Sequence, residues 1–295
     1  MIQFILKGEF FMTRQAIFLI STADRKGILA ETTTFFYQRS LNILECRQYT
    51  DVRENAYFMR IAVELPPEIT RSDLEGQFQT LADKLELKWS VYYNGDRQNV
   101  AVLVSKTSHC FYDLLMRSEE GNLGGKVVVA VGNHPDLEEV ADRFRVPYYC
   151  LPTPRSGDPD QENALLELFK RHHIDLVVLA RYMRVLSERV INAYPGRIIN
   201  IHHAFLPAFQ GGNPYLQAWE RGVKMIGATA HYATVDLDEG PIIEQAVERI
   251  THEASPDDLK QIGKDIERRV LTRAVRAHLE HRVIITGRRT IVFAR

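Results

Sequence analysis

The chain has 295 residues, of which 45% are hydrophobic and 25% are charged. This composition is typical of globular domains and excludes a disordered, collagen-like or coiled-coil protein. The length predicts two domains, because most domains contain about 100–200 residues. The 38 acidic and 37 basic residues nearly cancel. That balance argues against nucleic acid as a partner, since domains that bind nucleic acid are usually basic.

The sequence contains no segment typical of membrane insertion or secretion. No apolar run approaches the roughly 18–20 residues that cross a bilayer. The apolar start, Met1–Met12, is interrupted by Lys7 and Glu9, so it does not resemble a signal peptide. Thr13 follows a second methionine that would serve equally well as the first residue, so residues 1–11 need not be native. The widely spaced cysteines are Cys46, Cys110 and Cys150. We expect reduced, buried thiols in a cytoplasmic protein without a membrane partner.

The first half of the chain has the pattern of a ferredoxin-like domain. Its elements follow in the order strand, helix, strand, strand, helix, strand, which is a split βαβ unit. The predicted strands are Ala16–Ser21, Asn42–Thr50, Tyr57–Glu64 and Lys88–Tyr93. The predicted helices begin near Ile28 and Asp73. The polar segment Asn94–Gln98 then predicts a linker.

Apolar strands alternate with helices after this linker. The predicted strands are Asn99–Val104, Lys126–Val131, Tyr148–Leu151, Ile174–Ala180, Arg197–Ile201 and Ile226–Tyr232. The predicted helices are Phe111–Arg117, Leu137–Phe144, Ala164–His172 and Pro256–Arg282. Strands that are apolar throughout indicate a mostly parallel, Rossmann-like sheet covered on both faces. Such sheets bind ligands at the carboxyl ends of their strands. The sequence has neither a Gly-x-Gly-x-x-Gly motif after a strand nor a P-loop, so we expect no nucleotide cofactor.

Side chains suited to acyl chemistry follow two of the predicted strands. Asn200 and His202 lie two residues apart, on one face of an extended strand. His231 lies on the next strand, and Asp238 follows in a turn. An amide can donate to an oxyanion, an imidazole can transfer a proton, and a carboxylate can orient the imidazole or position a water molecule. Alone, an Asn-x-His pattern on a strand is a weak signal and favours a structural role.

The order of these motifs resembles the folate-dependent formyltransferase family. The family's catalytic Asn-x-His matches Asn200-Ile201-His202, and its aspartate matches Asp238, seven residues after His231. Leu179–Leu186 resembles the family's folate-pocket loop, and the resemblance covers Asn99–Arg295. It implies catalytic roles for Asn200, His202 and Asp238. It implies substrate contacts from Tyr182, Met183, Arg184, Val185, Leu186, His231 and Gly211, with backbone groups near Met183–Leu186 bonding the pterin.

The first half resembles an ACT regulatory domain. The residues that carry this resemblance are an Asp-x-x-Gly turn, Asp24–Gly27, and the pair Asn42-Ile43. It implies an amino-acid effector site involving Asp24, Gly27 and Asn42, with glycine and methionine as effectors, and a homo-oligomer. We therefore expect an ACT-like regulatory domain at 13–93 and a formyltransferase-fold catalytic domain at 99–295.

An ACT domain followed by a formyltransferase fold is the domain order of the formyltetrahydrofolate deformylase family. The resemblance implies hydrolysis of the formamide-type C–N bond of 10-formyltetrahydrofolate, giving formate and tetrahydrofolate. It further implies that this formate supports purine synthesis and that the reaction balances one-carbon folate pools. Folate is then the substrate, and no separate cofactor is expected. The segment Ser105–Cys110 lacks the glycines of a phosphate-binding loop, which disfavours a phosphorylated amine acceptor and leaves water as the nucleophile.

Two other functions use the same residues. Formyl transfer to an unidentified amine would give a formylated product instead of formate. A non-catalytic folate sensor would bind without turnover, although binding alone does not require the complete catalytic set. A metal site at His202, His203, His231 and Asp238 is not expected. Neighbouring histidines on a strand face opposite ways, so His203 should point away from His202.

Overall fold

A computed structural model describes residues 14–152, 158–207 and 214–295. The chain divides into two compact units between Asp96 and Arg97, inside the segment predicted as a linker. The apolar start of the chain and Gly211 lie outside the described residues. None of the helices described is both long enough and apolar enough to cross a membrane.

The N-terminal unit has the predicted ferredoxin-like fold. Its elements are β1 (Gln15–Ala23), α1 (Ile28–Tyr37), β2 (Ile43–Asp51), β3 (Ala56–Glu64), α2 (Arg71–Leu85) and β4 (Lys88–Tyr93). The antiparallel sheet has the order β2-β3-β1-β4. The alternate residues Ala16, Phe18 and Ile20 join both helices in one hydrophobic cluster, so the helices cover one face of the sheet. Phe78 lies at the centre of this cluster, with its ring 4.6 Å from that of Phe18.

The C-terminal unit is built on one seven-stranded sheet of order β11-β10-β9-β8-β5-β6-β7. Its strands are β5 (Asn99–Val104), β6 (Lys126–Gly132), β7 (Tyr148–Cys150), β8 (Leu176–Ala180), β9 (Ile198–His202), β10 (Met225–Tyr232) and β11 (Ile242–Arg249), followed by the hairpin β12 (Val283–Thr286) and β13 (Arg289–Val292). Its α-helices are α3 (His109–Glu119), α4 (Glu138–Arg143), α5 (Pro159–Arg171), α6 (Glu188–Ala193), α7 (Pro214–Glu220) and α8 (Pro256–Leu279). A short 3-10 turn, Pro135–Leu137, precedes α4.

Five neighbouring strands, β5 to β9, pair in parallel, whereas β10 runs antiparallel to both β9 and β11. Residues Val100 and Val102 join a hydrophobic cluster with α8, while Ala101 and Leu103 join a second cluster with α5. Both faces of the sheet are therefore covered, and the prediction of a mostly parallel, doubly covered sheet is confirmed. Helix α8 begins at the predicted residue, Pro256, behind a capping box at Ser255.

The connections of this sheet reverse direction beside β5. From β5 the chain passes through α3 to β6 on one side, and α5 later carries it back to β8 on the other side. In open α/β sheets, ligands bind outside the carboxyl ends of the strands at such a switch point. The carboxyl ends of β5 and β8 lead into Ser105 and Arg181, and that of the next strand, β9, carries His202. The fold therefore predicts a ligand site at this edge of the sheet.

Candidate active site

Asn200 and His231 are direct neighbours across strands β9 and β10. A bulge in the pairing of β10 with β11 falls between Ala230 and His231, and bulges commonly re-aim side chains next to active sites. The amide nitrogen Nδ2 of Asn200 lies 3.2 Å from Nε2 of His231. The sheet register thus brings together two residues that are far apart in the sequence.

The second ring nitrogen of His231 determines how the Asn200 amide is oriented. Nδ1 lies 2.9 Å from the carbonyl oxygen of Tyr232, which can only accept a hydrogen bond. Nδ1 therefore carries a proton, and Nε2 of the neutral ring accepts from the Asn200 amide. The Asn200 NH₂ group has a second N–H, which remains available to a ligand. His231 thus orients the Asn200 amide.

Asp238 is brought back to the two histidines by a tight turn after β10. The chain passes so close to Tyr232 at Gly240 that a Cβ atom there would lie 1.7 Å from the Tyr232 carbonyl oxygen. Asp238 itself has a positive φ of 59°, a conformation that is uncommon outside glycine, asparagine and aspartate. The turn therefore depends on glycine at position 240, and it fixes the direction of the Asp238 carboxylate.

The Asp238 carboxylate faces the imidazoles of His202 and His231. Its Oδ2 lies 3.2 Å from Nδ1 of His202, and its Oδ1 lies 3.5 Å from Nε2 of His231. The hydrogen bond from His202 holds the pKa of Asp238 well below its usual range. The group is therefore a carboxylate at neutral pH, suited to orienting an imidazole and stabilising its cation.

His202 presents one free ring nitrogen to the site. The side chain is 8% exposed, and its Nδ1 donates to Asp238. Its Nε2 is buried and has no hydrogen-bond partner within the described ranges. Since Nδ1 carries the proton in the neutral ring, Nε2 bears a lone pair that can accept a proton and later return it.

These side chains line a cleft of about 310 Å³. Its lining also includes residues 182–186, the part of the predicted folate-pocket loop expected to contact substrate. Met183 and Val185 of this loop are 56% and 49% exposed, and Val235 and Leu237 from the turn before Asp238 are 56% and 64% exposed. These four apolar side chains give the cleft an apolar mouth suited to a flat heteroaromatic ring. Sequence reasoning did not identify Val235 or Leu237, whose short apolar turn lacks a recognisable motif.

The folate-pocket loop is held by residues that sequence reasoning also missed. Ser105, after β5, accepts a hydrogen bond of 2.9 Å from the backbone N–H of Met183. Glu162, in the first turn of α5, accepts one of 2.9 Å from the backbone N–H of Ser187 and one from its hydroxyl. Tyr182 is buried beneath the loop, with its hydroxyl 3.2 Å from the Gln161 amide. The loop is therefore anchored at Tyr182 and Met183 and, just beyond its end, at Ser187.

His203 does not point away from His202, and that prediction was wrong. The two rings stack at 4.9 Å with an interplanar angle of 18°. Strand β9 ends at His202, and the chain bends at His203, so the alternation of an extended strand no longer applies. The hydroxyl of buried Thr229 fixes this bend, because it donates to the carbonyl of Ala204 at 2.9 Å.

The predicted effector residues are not gathered within one chain. Asp24 bonds Asn55 at one end of β3, whereas Asn42 bonds Glu64 at the other end. Nine residues of β3 separate these ends, which corresponds to roughly 26 Å. Gly27 precedes α1 on the Asp24 side with a φ of 96°. The cysteine prediction was wrong for Cys46 and Cys150, which are exposed, and correct for Cys110, which is buried.

A second polar cluster lies behind the cleft and includes a possible metal-ligand set. Ligand atoms of His109, Cys110 and Glu267 lie within 4.8 Å of one another. The Glu267 carboxylate, however, already contacts His109 Nε2 at 2.8 Å and the Arg181 guanidinium at 3.5 Å. Burial raises the pKa of the Cys110 thiol well above its usual value, so the thiol is protonated. These groups suit a salt bridge to an arginine better than a divalent cation.

The comparisons with known proteins agree with this fold. Residues 98–275 match the family model described as formyl transferase. The chain is 45% identical to the formyltetrahydrofolate deformylase of Synechocystis sp. over 95% of this chain and 98% of the relative. A crystal structure of a formyltetrahydrofolate deformylase from Pseudomonas syringae is similar over 97% of this chain and 96% of that chain, with a TM-score of 0.93 and 36% identity. A glycinamide ribonucleotide transformylase from Symbiobacterium toebii covers 69% of this chain and 97% of its own, with a TM-score of 0.65 and 33% identity.

The mostly parallel sheet and the matched segment, residues 98–275, place this protein among the formyl transferases. Only part of the chain aligns with the transformylase, whereas nearly all of it, including the N-terminal unit, aligns with the deformylases. The chain belongs to the formyltetrahydrofolate deformylase family.

Proposed function

We propose that the protein hydrolyses 10-formyltetrahydrofolate to formate and tetrahydrofolate. The observation that carries this proposal is the geometry around His202. One ring nitrogen contacts the Asp238 carboxylate at 3.2 Å, the other is buried without a partner in the described part of the chain, and the oriented Asn200 amide lines the same cleft. The names of the relatives support the same reaction.

The reaction follows from the roles of these three residues. The pterin lies against the loop Met183–Leu186, and the formyl oxygen lies near the free N–H of Asn200. Water attacks the formyl carbon while Nε2 of His202 accepts its proton, and Asn200 donates to the oxyanion. Asp238 stabilises the imidazolium and holds its orientation. Its lowered pKa makes it a poor base, so we assign the proton transfer to His202.

The collapse of the tetrahedral intermediate completes the reaction. The bond between the formyl carbon and N10 of the folate breaks, and the His202 imidazolium returns the proton to N10. The products are tetrahydrofolate and formic acid, which ionises to formate. No electrons are transferred to or from the protein, and folate is the substrate rather than a resident cofactor.

The test is an assay of formate and tetrahydrofolate released from 10-formyltetrahydrofolate in the absence of an amine acceptor. The proposal predicts release of both products in equal amounts, and at least a hundredfold slower release by Asp238→Asn. Folate binding without release of formate would contradict the proposal and favour a sensor. Turnover that requires an added amine would favour a transferase.

The N-terminal unit supports a regulatory role within the same proposal. We assign it as an ACT-like domain that binds glycine or methionine in a homo-oligomer. Asp24 and Asn42 lie at opposite ends of the sheet, so an effector site that includes both needs a second copy of the chain. Formate release with and without each amino acid, together with sedimentation of the same samples, tests this assignment. An unchanged rate with both amino acids, or a monomer, would contradict it.

The cellular setting is part of the proposal as well. All three cysteines are unpaired, as expected in the reducing cytoplasm, and we place the reaction there. We propose that the released formate supplies purine synthesis and that the reaction adjusts the balance of one-carbon folates. Formate dependence of purine synthesis in a deletion strain tests this supply, and growth that is insensitive to added formate would contradict it.

A further inference from the structure

The crevice at the switch point of the catalytic sheet is filled by side chains. Strands β5 and β8 are parallel neighbours, and ligands of such sheets bind outside their carboxyl ends where the connections diverge. In this chain, His109 follows β5, Arg181 follows β8, and both contact Glu267 from α8. Glu267 is 1% exposed. The position in which the fold usually accommodates a ligand is therefore occupied by an ion-paired cluster of the protein itself.

The packing of α8 shows how closely this cluster is built. Tyr215 donates to Glu267 at 2.6 Å, and its ring lies directly on Gly263, one helical turn earlier. A Cβ atom at Gly263 would lie 2.1 Å from the Tyr215 hydroxyl oxygen. Residues four apart on a helix share one face, so Gly263 and Glu267 together form the wall against which Tyr215 packs. Glu267 is thereby contacted by a phenol, an imidazole and a guanidinium.

Arg181 is held in an unfavourable backbone conformation. Its φ is 62°, a region that glycine enters freely and that costs other residues about 1–2 kcal/mol. A buried ion pair contributes little net stability, so stability alone does not account for an arginine at this position. Arg181 also lines the cleft that contains Asn200 and His202, and an unfavourable backbone conformation at such a position points to a role in function.

The cluster lies directly behind the proposed catalytic imidazole. His203 stacks on His202 at 4.9 Å on one side, and its ring centroid lies 6.4 Å from that of Tyr215 on the other. The Nη1 atom of Arg181 is buried without a hydrogen-bond partner in the described part of the chain. The cluster therefore forms one wall of the space around the reacting carbon. The Arg181 guanidinium is part of this wall.

We propose that the Arg181–Glu267 cluster closes the acceptor side of the cleft, so that water reaches the formyl carbon and an amine does not. This inference rests on the proposed function, because it names what restricts the nucleophile in that reaction. The same fold serves a protein named as a glycinamide ribonucleotide transformylase, so the fold itself does not exclude an acceptor. The loop Ser105–Ser108 on the same edge has no glycine. Ion-paired side chains and this loop together take the place of an acceptor pocket.

The test disrupts the cluster by substitution and adds a small amine as an acceptor. The variant is Arg181→Gly with Glu267→Gln, since glycine suits a positive φ and glutamine keeps hydrogen-bonding atoms for His109 and Tyr215 without a buried charge. Glycinamide is the probe. In the transfer reaction its nitrogen bonds to the formyl carbon, the bond from that carbon to N10 breaks, and one amine proton ends on N10. Mass spectrometry of N-formylglycinamide and of formate gives the partition between transfer and hydrolysis.

The expected result is formate alone from the wild-type protein and a ratio of N-formylglycinamide to formate at least tenfold higher from the double variant. Arg181→Gly alone serves as a second variant, because His109 and Tyr215 still contact Glu267. The matched control is Arg117→Ala with Asp113→Asn. It removes another ion pair, of 2.9 Å, whose buried aspartate joins α3 to Thr272 of α8, away from the strand ends.

The ratio of N-formylglycinamide to formate in these variants tests the inference. A raised ratio in the cluster variants and an unchanged ratio in the control support it. Wild-type-like ratios in both cluster variants, with formate still released, would overturn it. An equal rise in the control would also overturn it, because general loosening would then explain the effect. Failure of the wild-type protein to release formate would instead overturn the proposed function, and this inference with it.

Discussion

The carboxylate of Asp238 offers the sharpest test of how the site works. The substitution Asp238→Asn keeps the size and planarity of the side chain and removes its charge. In the wild-type protein, this charge faces His202 at 3.2 Å and His231 at 3.5 Å. In the proposed mechanism, the His202 imidazole accepts a proton and develops positive charge in the transition state. The substitution should therefore affect the transition state more than substrate binding.

The size of the effect follows from the distance. At an effective dielectric constant of about 20, a full charge on His202 would interact with the carboxylate 3.2 Å away by roughly 5 kcal/mol. Each factor of ten in rate corresponds to about 1.4 kcal/mol. The imidazole carries only part of its charge in the transition state, and asparagine keeps a dipole toward it. We therefore expect kcat to fall about 10²–10³-fold, with little change in KM.

Steady-state formate release by Asp238→Asn and wild-type protein measures this difference. The matched control is Asp236→Asn, in the same turn, where the aspartate is exposed and the rate should stay within about twofold of wild type. A loss of kcat smaller than tenfold, or an effect confined to KM, would refute the assignment of Asp238 to transition-state stabilisation.

Three further predictions follow from individual contacts. Asn200→Ala should lower kcat by about 10²–10³-fold, the usual effect of losing one oxyanion donor, and a loss below tenfold in steady-state rates would contradict that role. Ser105→Ala leaves the Met183 N–H without its acceptor, which costs about 1–3 kcal/mol. Initial rates should show KM raised about tenfold and kcat nearly unchanged, and an unchanged KM would contradict the anchoring. Burial lowers the pKa of His278 to about 4, below its unfolded value of about 6.5. Protonation therefore favours the unfolded chain as pH falls below about 6.5, and this histidine should reduce the free energy of unfolding by about 2 kcal/mol between pH 7 and pH 5. Urea unfolding at both pH values should show a smaller reduction in His278→Gln, and an identical reduction would contradict this.

The elements that sequence could predict are those with a strong periodic signal. The apolar strands β5, β6 and β8 and the capped helix α8 lie where the pattern predicts them, although α8 ends at Leu279 rather than Arg282. Strand β11 was missed because it is an edge strand whose residues are mostly half-buried or exposed, so its sequence has neither a continuous apolar run nor a clean alternation. The short helices α6 and α7 have too few turns for a recognisable period.

The site was predictable where it follows local patterns, and not where it depends on tertiary contacts. The candidate residues Asn200, His202 and His231 share strands β9 and β10, and the register of those strands brings them together. The contact between Arg181 and Glu267 joins residues distant in the sequence. No periodicity predicts such a contact, because one partner lies in a loop and the other on the buried face of a helix.

In the proposed reaction, water attacks a formyl carbon held between Asn200 and His202. Hydrolysis in water labelled with oxygen-18 tests it most directly, because the attacking oxygen remains in the product. We expect formate with one labelled oxygen, formed together with tetrahydrofolate and at least a hundredfold more slowly by Asp238→Asn. Unlabelled formate, or a formyl group recovered on an amine instead of in formate, would contradict it.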